Sequence, residues 1–130
     1  MENIGVILVG HGSKEPYNKN AIKYFAEKLK DKYSFVKFAF IQINKPSLKD
    51  VLKEAIASGI DKIVVQPVFL TRGTHVNQDI PKILGLPIGV KSGTIALSEK
   101  KISIVIGEPL GMDDRIVDII SDRIKEALTY

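Results

Sequence analysis

Ile4-Gly-Val-Ile-Leu-Val-Gly-His-Gly-Ser13 is the stretch on which the fold turns. Residues 4–9 run apolar without the polar alternation of a half-solvated strand, the pattern of a parallel strand buried on both faces. Gly10 and Gly12 bracket His11, so a loop follows in which backbone can approach a neighbour or a ligand closely. Ala21, Ile22, Phe25, Ala26 and Leu29 then recur at helical spacing, with Lys and Glu on the opposite side. Strand, glycine-rich loop and amphipathic helix are the first half of a βαβ unit.

The alternation continues along the chain. Phe35 to Ile43 reads as a second strand, and Pro46-Ser47 opens a helix with the stripe Leu48, Val51, Leu52, Ala55, Ile56, closed by Gly59. Residues 62–70 read as a third strand leading into Thr71-Arg-Gly-Thr-His75. A short helix is predicted from about Val76 to Leu84, with Ile80, Ile83 and Leu84 inward. Gly85, Pro87, Gly89 and Ser92-Gly93 are turn signals, and Thr94-Ile-Ala-Leu97 could pair briefly. Ile102 to Ile106 reads as a fourth strand. Asp113 and Asp114 suit a helix N-terminus, and the last helix gathers Ile116, Ile119, Ile120, Ile124 and Ala127 on one side. The pattern predicts one α/β domain over residues 1–130, with a four-stranded parallel sheet of order 2-1-3-4 and helices on both faces.

Composition bounds the chemistry. The 130 residues are one domain's worth of chain, 45% hydrophobic and 26% charged, with no Cys, no Trp, two His and a net charge of +4. Without cysteine there is no disulfide framework, iron–sulfur cluster, cysteine nucleophile or thiolate zinc site. With two histidines, a closed four-ligand metal site would need several carboxylates or a second chain. The start Met1-Glu-Asn carries no basic segment or cleavage signal, and no apolar run approaches the ~20 residues that span a bilayer. A soluble, cytoplasmic protein is expected. The positive excess lies in the N-terminal half, spread over helix exteriors among acids, as on a solvated face rather than a nucleic-acid surface.

In an open parallel sheet, ligands bind beyond the carboxyl ends of the strands where strand order reverses. For order 2-1-3-4 that is between strands 1 and 3. His11 stands on the loop after the first and His75 on the loop after the third, two strand ends ~4.8 Å apart; His11 follows its strand directly, while the reach of His75 depends on how the loop beyond Leu70 folds back. Phosphate-binding readings fail: His11-Gly12 stand where a Walker loop needs Lys and Ser/Thr, and Glu15 replaces the third glycine of a dinucleotide fingerprint. Val9-Gly10-His11-Gly12 also looks like a damaged histidine-phosphatase motif, with glycine in place of the phosphate-clamping arginine.

Gly10-His-Gly-Ser13, Pro67-Val-Phe-Leu-Thr-Arg-Gly-Thr-His-Val-Asn-Gln-Asp-Ile-Pro81 and Glu108-Pro-Leu-Gly-Met-Asp-Asp-Arg115 resemble the short form of the sirohydrochlorin chelatases, the CbiX family with its archaeal cobalt and nickel members. The resemblance covers nearly the whole chain, and its second motif is long and specific. It implies a flavodoxin-like, chelatase-like half and ATP-independent insertion of Co²⁺ or Ni²⁺ into sirohydrochlorin, an octacarboxylate tetrapyrrole, on the way to cobalamin or a related product. The family's two functional histidines fall on His11 and His75. It also implies homodimers around the active-site cavity, with no permanently bound cofactor.

Chemistry agrees with those assignments. Metallation releases two pyrrole protons, and histidine is the side chain that titrates near neutrality. Neutral imidazole also ligates Co²⁺ and Ni²⁺, and an incomplete shell suits a protein that must hand its metal on. The expected roles are His11 and His75 on the metal, with His11 also accepting a proton. Loop residues Leu70, Thr71, Arg72, Gly73 and Thr74, with His75, would grip the macrocycle, and Ser13, Lys14 and Lys45 could meet its carboxylates. There is one departure. The family often places glutamates near the end of strand 2, where this chain has Gln42-Ile-Asn-Lys45. That loss suggests a second reading, a non-catalytic tetrapyrrole or metal carrier.

Overall fold

Strand β1 (Ile4–Gly10) sits at the centre of the sheet, parallel to β2 (Phe35–Phe40) on one side and β3 (Lys62–Pro67) on the other. Register pairs Gly10 with Phe40 and Val9 with Pro67, so the three carboxyl ends lie level. The computed structural model describes residues 3–12, 14, 17–71, 73 and 75–129; the side chains of Tyr17 and His75 fall outside that description.

The sheet has five strands in the order β2-β1-β3-β5-β4, with β4 (Ser92–Leu97) and β5 (Lys100–Ile106). The expected order 2-1-3-4 holds for its first three strands, and the fourth expected strand is β5, parallel to β3. The expectation differs at β4, an added edge strand antiparallel to β5. Its turn is Ser98-Glu99, with φ of 52° and 63°. Two left-handed residues in succession make the tight reversal that hairpins favour, without the Asn-Gly or Asp-Gly that usually advertises it. The sheet is therefore mixed rather than wholly parallel.

Helices lie on both faces. On one, α2 (Leu48–Ala57) and α3 (Ile80–Leu84) cover Ile7, Val9, Ile63, Val65, Ile102 and Ile104, all fully buried. Ser47 caps α2, its hydroxyl accepting from the Asp50 amide at 3.1 Å. The short expected helix is split: a π-helical turn, His75–Asp79, runs into α3, with Ile80 and Leu84 buried and Ile83 partly so. On the other face α1 (Tyr17–Leu29) lays Ile22 and Ala26 over Val6, Leu8 and Phe40. The last helix, α4 (Asp114–Ala127), buries none of its side chains. Among the described residues no helix is long and apolar enough to cross a membrane.

Candidate functional site

The β1–β2 ladder outruns the strands. Ile41 donates its amide to the Gly10 carbonyl at 3.1 Å and Gln42 donates to the His11 carbonyl at 3.2 Å. The second strand thus ends at Phe40 but its pairing persists to Gln42, after which Ile43 turns at φ 65°. A branched side chain rarely adopts that conformation, so the 41–46 loop is held by its surroundings. It returns to the sheet where Phe40 donates to the Pro46 carbonyl at 2.9 Å. The excursion brings Gln42 beside His11 and Asn44 close to Gly12, and Lys45 on the same loop is exposed.

Gly12 is required by this close approach. Its φ is 105°, and a Cβ there would run into the Gln42 carbonyl oxygen. The same proximity sets the imidazole. Nδ1 of His11 lies 3.1 Å from the Gly12 carbonyl, and Nε2 lies 2.9 Å from the amide nitrogen of Gln42. A carbonyl only accepts, so Nδ1 carries the hydrogen; Nε2 then presents its lone pair and accepts from Gln42. That neutral tautomer is the one a divalent metal needs at Nε2.

The β1–β3 ladder also continues upward, with the Val68 amide donating to the Val9 carbonyl at 2.8 Å. Residues 68–70 then run between the end of β1 and the segment after β5: Leu110 donates to Phe69 at 2.8 Å and Gly111 to Leu70 at 2.7 Å. Gln66 anchors that segment from below, its amide donating to the Glu108 carbonyl at 2.6 Å. Beyond, Val76 and Asn77 donate to the Gly73 carbonyl at 3.1 and 3.0 Å, starting the helical turn that His75 opens. Leu70, Thr71 and Gly73 are exposed on this loop. Ser13, Arg72 and Thr74 lie outside the described residues, as does the His75 side chain.

The expected switch point is therefore where the topology put it. The His11 loop and the loop leading to His75 leave adjacent strands at one edge, and Gln42 stands beside His11 from the β2 side. Below His11 a cavity of about 160 Å³ is lined by Gly10, Asn18, Ala21, Ile22, Phe25, Val68 and Phe69. Among the described residues no three His, Cys, Asp or Glu side chains converge as a metal cage. Gln42 was legible in the sequence only as a departure from an acidic pattern; its bond to His11 follows from a ladder that no residue type announces.

The class these features define is an α/β domain with a histidine-bearing, metal-compatible edge at its strand-order reversal. The CbiX family model matches residues 5–127, and the chain belongs to that family. It is 41% identical to a sirohydrochlorin cobaltochelatase of Saccharolobus solfataricus, over 95% of this chain and 94% of that one. A sirohydrochlorin cobaltochelatase of Methanopyrus kandleri is 38% identical, over 96% of this chain and 97% of the other. The fold also matches the sirohydrochlorin chelatase SirB from Bacillus subtilis subspecies spizizenii, solved in complex with cobalt, at a TM-score of 0.74 and 23% identity. That match covers 95% of this chain and 50% of SirB.

Proposed function

We propose that this protein is a sirohydrochlorin chelatase that inserts a divalent metal, cobalt in the first instance, into the tetrapyrrole without ATP. The observation that carries the reading is the His11 imidazole, its Nε2 directed to Gln42, on a strand end adjacent to the His75 loop. Kinship at 36–41% identity with sirohydrochlorin cobaltochelatases over nearly the whole chain supports it.

His11 and His75 hold the incoming ion as a two-nitrogen, incomplete shell. The macrocycle lies over the edge, its carboxylates met by Lys45, Lys14, Ser13, Thr71, Arg72 and Thr74, with Leu70 and Gly73 against its face. As the ion passes to the four ring nitrogens, two pyrrole N–H protons leave. His11, released from the metal, takes one at Nε2, and solvent takes the other. Nickel fits the same imidazoles, since ligand type alone does not separate it from cobalt. The working unit is a cytoplasmic homodimer with no resident cofactor.

A carrier using the same pocket is the second reading, favoured by Gln42 standing beside His11 where an acid would help remove protons. Visible spectra of sirohydrochlorin with Co²⁺ or Ni²⁺, with and without the protein, separate the two. A chelatase accelerates the spectral change catalytically. Stoichiometric binding with no acceleration over the uncatalysed rate would leave the carrier and sink the enzyme.

A further inference from the structure

We propose that Gln66 is a positioning residue for metallation: its side-chain amide closes a break in the β3–β5 ladder and so fixes the course of the loop that carries His75. The consequence for metal rests on the chelatase reading above; the geometry rests on the ladder alone.

Two prolines break the ladder. Gly107 donates to the Val65 carbonyl at 2.9 Å, in the register that pairs Val65 with Ile106. A parallel ladder would next run one bond from residue 67 to the Gly107 carbonyl and one from residue 109 to the carbonyl of residue 67. Those donors are Pro67 and Pro109, and neither has an N–H. Pairing resumes beyond them, Leu110 donating to Phe69 and Gly111 to Leu70, slipped by one residue. The gap therefore lies directly beneath the segment that leads out to His75. Leu70, held by Gly111, stands five positions before that histidine.

Gln66 spans the gap. Its Nε2 donates to the Pro67 carbonyl at 3.1 Å and to the Glu108 carbonyl at 2.6 Å, one on each side of the break. A carboxamide has two N–H groups and a carbonyl only accepts, so both bonds stand together and the partners settle which way the amide points. The side chain shares an apolar groove with Leu8, Phe25, Leu29, Val68 and Leu110, where an unbonded amide would be costly. Gly107 leaves it room, since a Cβ at that residue would collide with Oε1 of Gln66. The Glu108 side chain also meets Lys91 at 2.6 Å, but both partners are exposed and such a pair holds little. Gln66 thus ties segment 107–111 to β3 where the prolines cannot. Without its amide the segment loosens from Phe69 and Leu70, and the His75 loop loses its fixed exit beside β1. His11 keeps its place, because the β1–β2 ladder and Gln42 hold it from the other side. The spacing of the two histidine loops then varies, and an ion shared between them binds more weakly.

Gln66→Met tests this, keeping the length of the side chain and its fit to the groove while removing the N–H. In the full chain without metal or tetrapyrrole, amide exchange at Leu110 and Gly111 should accelerate roughly tenfold, the scale of losing a neutral hydrogen bond or two. Val65 and Ile104 should keep their protection. Co²⁺ alone, titrated by calorimetry, should bind roughly 3–10-fold more weakly. In the insertion assay the KM for Co²⁺ should rise by a similar factor, whereas a merely destabilised protein loses rate at every Co²⁺ concentration with KM unchanged. Gly107→Ala evicts the Gln66 amide without altering it and should show the same signature, which guards against a defect peculiar to the methionine. Unchanged exchange at Leu110 and Gly111 would overturn the proposal. So would faster exchange spread over the whole sheet, or an unaltered affinity and KM for Co²⁺. If exchange and Co²⁺ affinity respond as expected but the wild-type chain inserts no metal, the chelatase reading fails and the role of Gln66 stands.

Discussion

Gln42 donates a 2.9 Å hydrogen bond to Nε2 of His11, the nitrogen that would take the metal in the proposed chelatase. The amide holds the lone pair, and on the proposed function a metal entering the site would displace one neutral hydrogen bond rather than a proton. A neutral hydrogen bond contributes about 0.5–1.5 kcal/mol net, so the placeholder is firm enough to orient the ring and weak enough to yield.

Removing that donor has two expected effects. Gln42→Leu should let His11 populate the Nε2–H tautomer, visible in nitrogen-15 spectra of the imidazole. It should also slow Co²⁺ insertion by roughly 2–10-fold, the kinetic equivalent of about 0.5–1.5 kcal/mol. An unchanged tautomer would show that Gln42 does not set the ring.

His11→Ala and His75→Ala should each lower the insertion rate about 10²–10⁴-fold, the range for loss of a general base or its equivalent. The measurement is the initial rate of the sirohydrochlorin spectral change. Binding of the free macrocycle to the His11→Ala variant, followed by fluorescence, should change little, because the proposed function assigns the carboxylate contacts to other residues. If both variants kept full rates, the histidines would have no part in metallation.

The place of the first loop was legible because glycine and histidine are conspicuous. Gly10-His11-Gly12 after an apolar run placed the first loop, and right-handed crossovers set β3, from which the His75 loop leaves, beside β1. Gln42 was not legible, since a glutamine two residues past a strand carries no signature, and only the ladder running on past Phe40 places it. For the fold, β1 could be read from burial on both faces, whereas β4 alternates weakly and turns on Ser98-Glu99, residues that do not advertise a hairpin. The α4 periodicity was read correctly as a helix. Its apolar side, however, meets no core, because periodicity reports an amphipathic face and not what covers it.

Gly12→Ala should destabilise the protein while leaving its secondary structure intact. At φ 105° a side chain is strained, and its Cβ would press on the Gln42 carbonyl, which is backbone and cannot swing aside. A strained residue of this kind costs about 1–3 kcal/mol. Thermal melts should show Tm lowered by several degrees. Gly59→Ala, also at positive φ (88°) but with open space around it, should cost less and serves as the control.

The start of α4 should respond to acid. Asp113 accepts from the Arg115 amide at 2.8 Å and from its guanidinium at 2.9 and 2.7 Å. Those bonds, the guanidinium's first, lower its carboxyl from 3.8 to about 2. A depressed carboxyl contributes stability that is fully present above its unfolded value near 4, and that stability is lost as pH falls through 2. The cap is exposed, so the effect is local fraying of the first turn rather than global unfolding. Carbon-13 titration of the Asp113 carboxyl should give a midpoint near 2, and the Arg115 amide shift should follow it. Asp113→Asn should keep a neutral cap and abolish the acid-dependent shift, whereas Asp113→Ala should fray the turn at every pH. A midpoint near 4 would mean that the Arg115 bonds do not persist in solution.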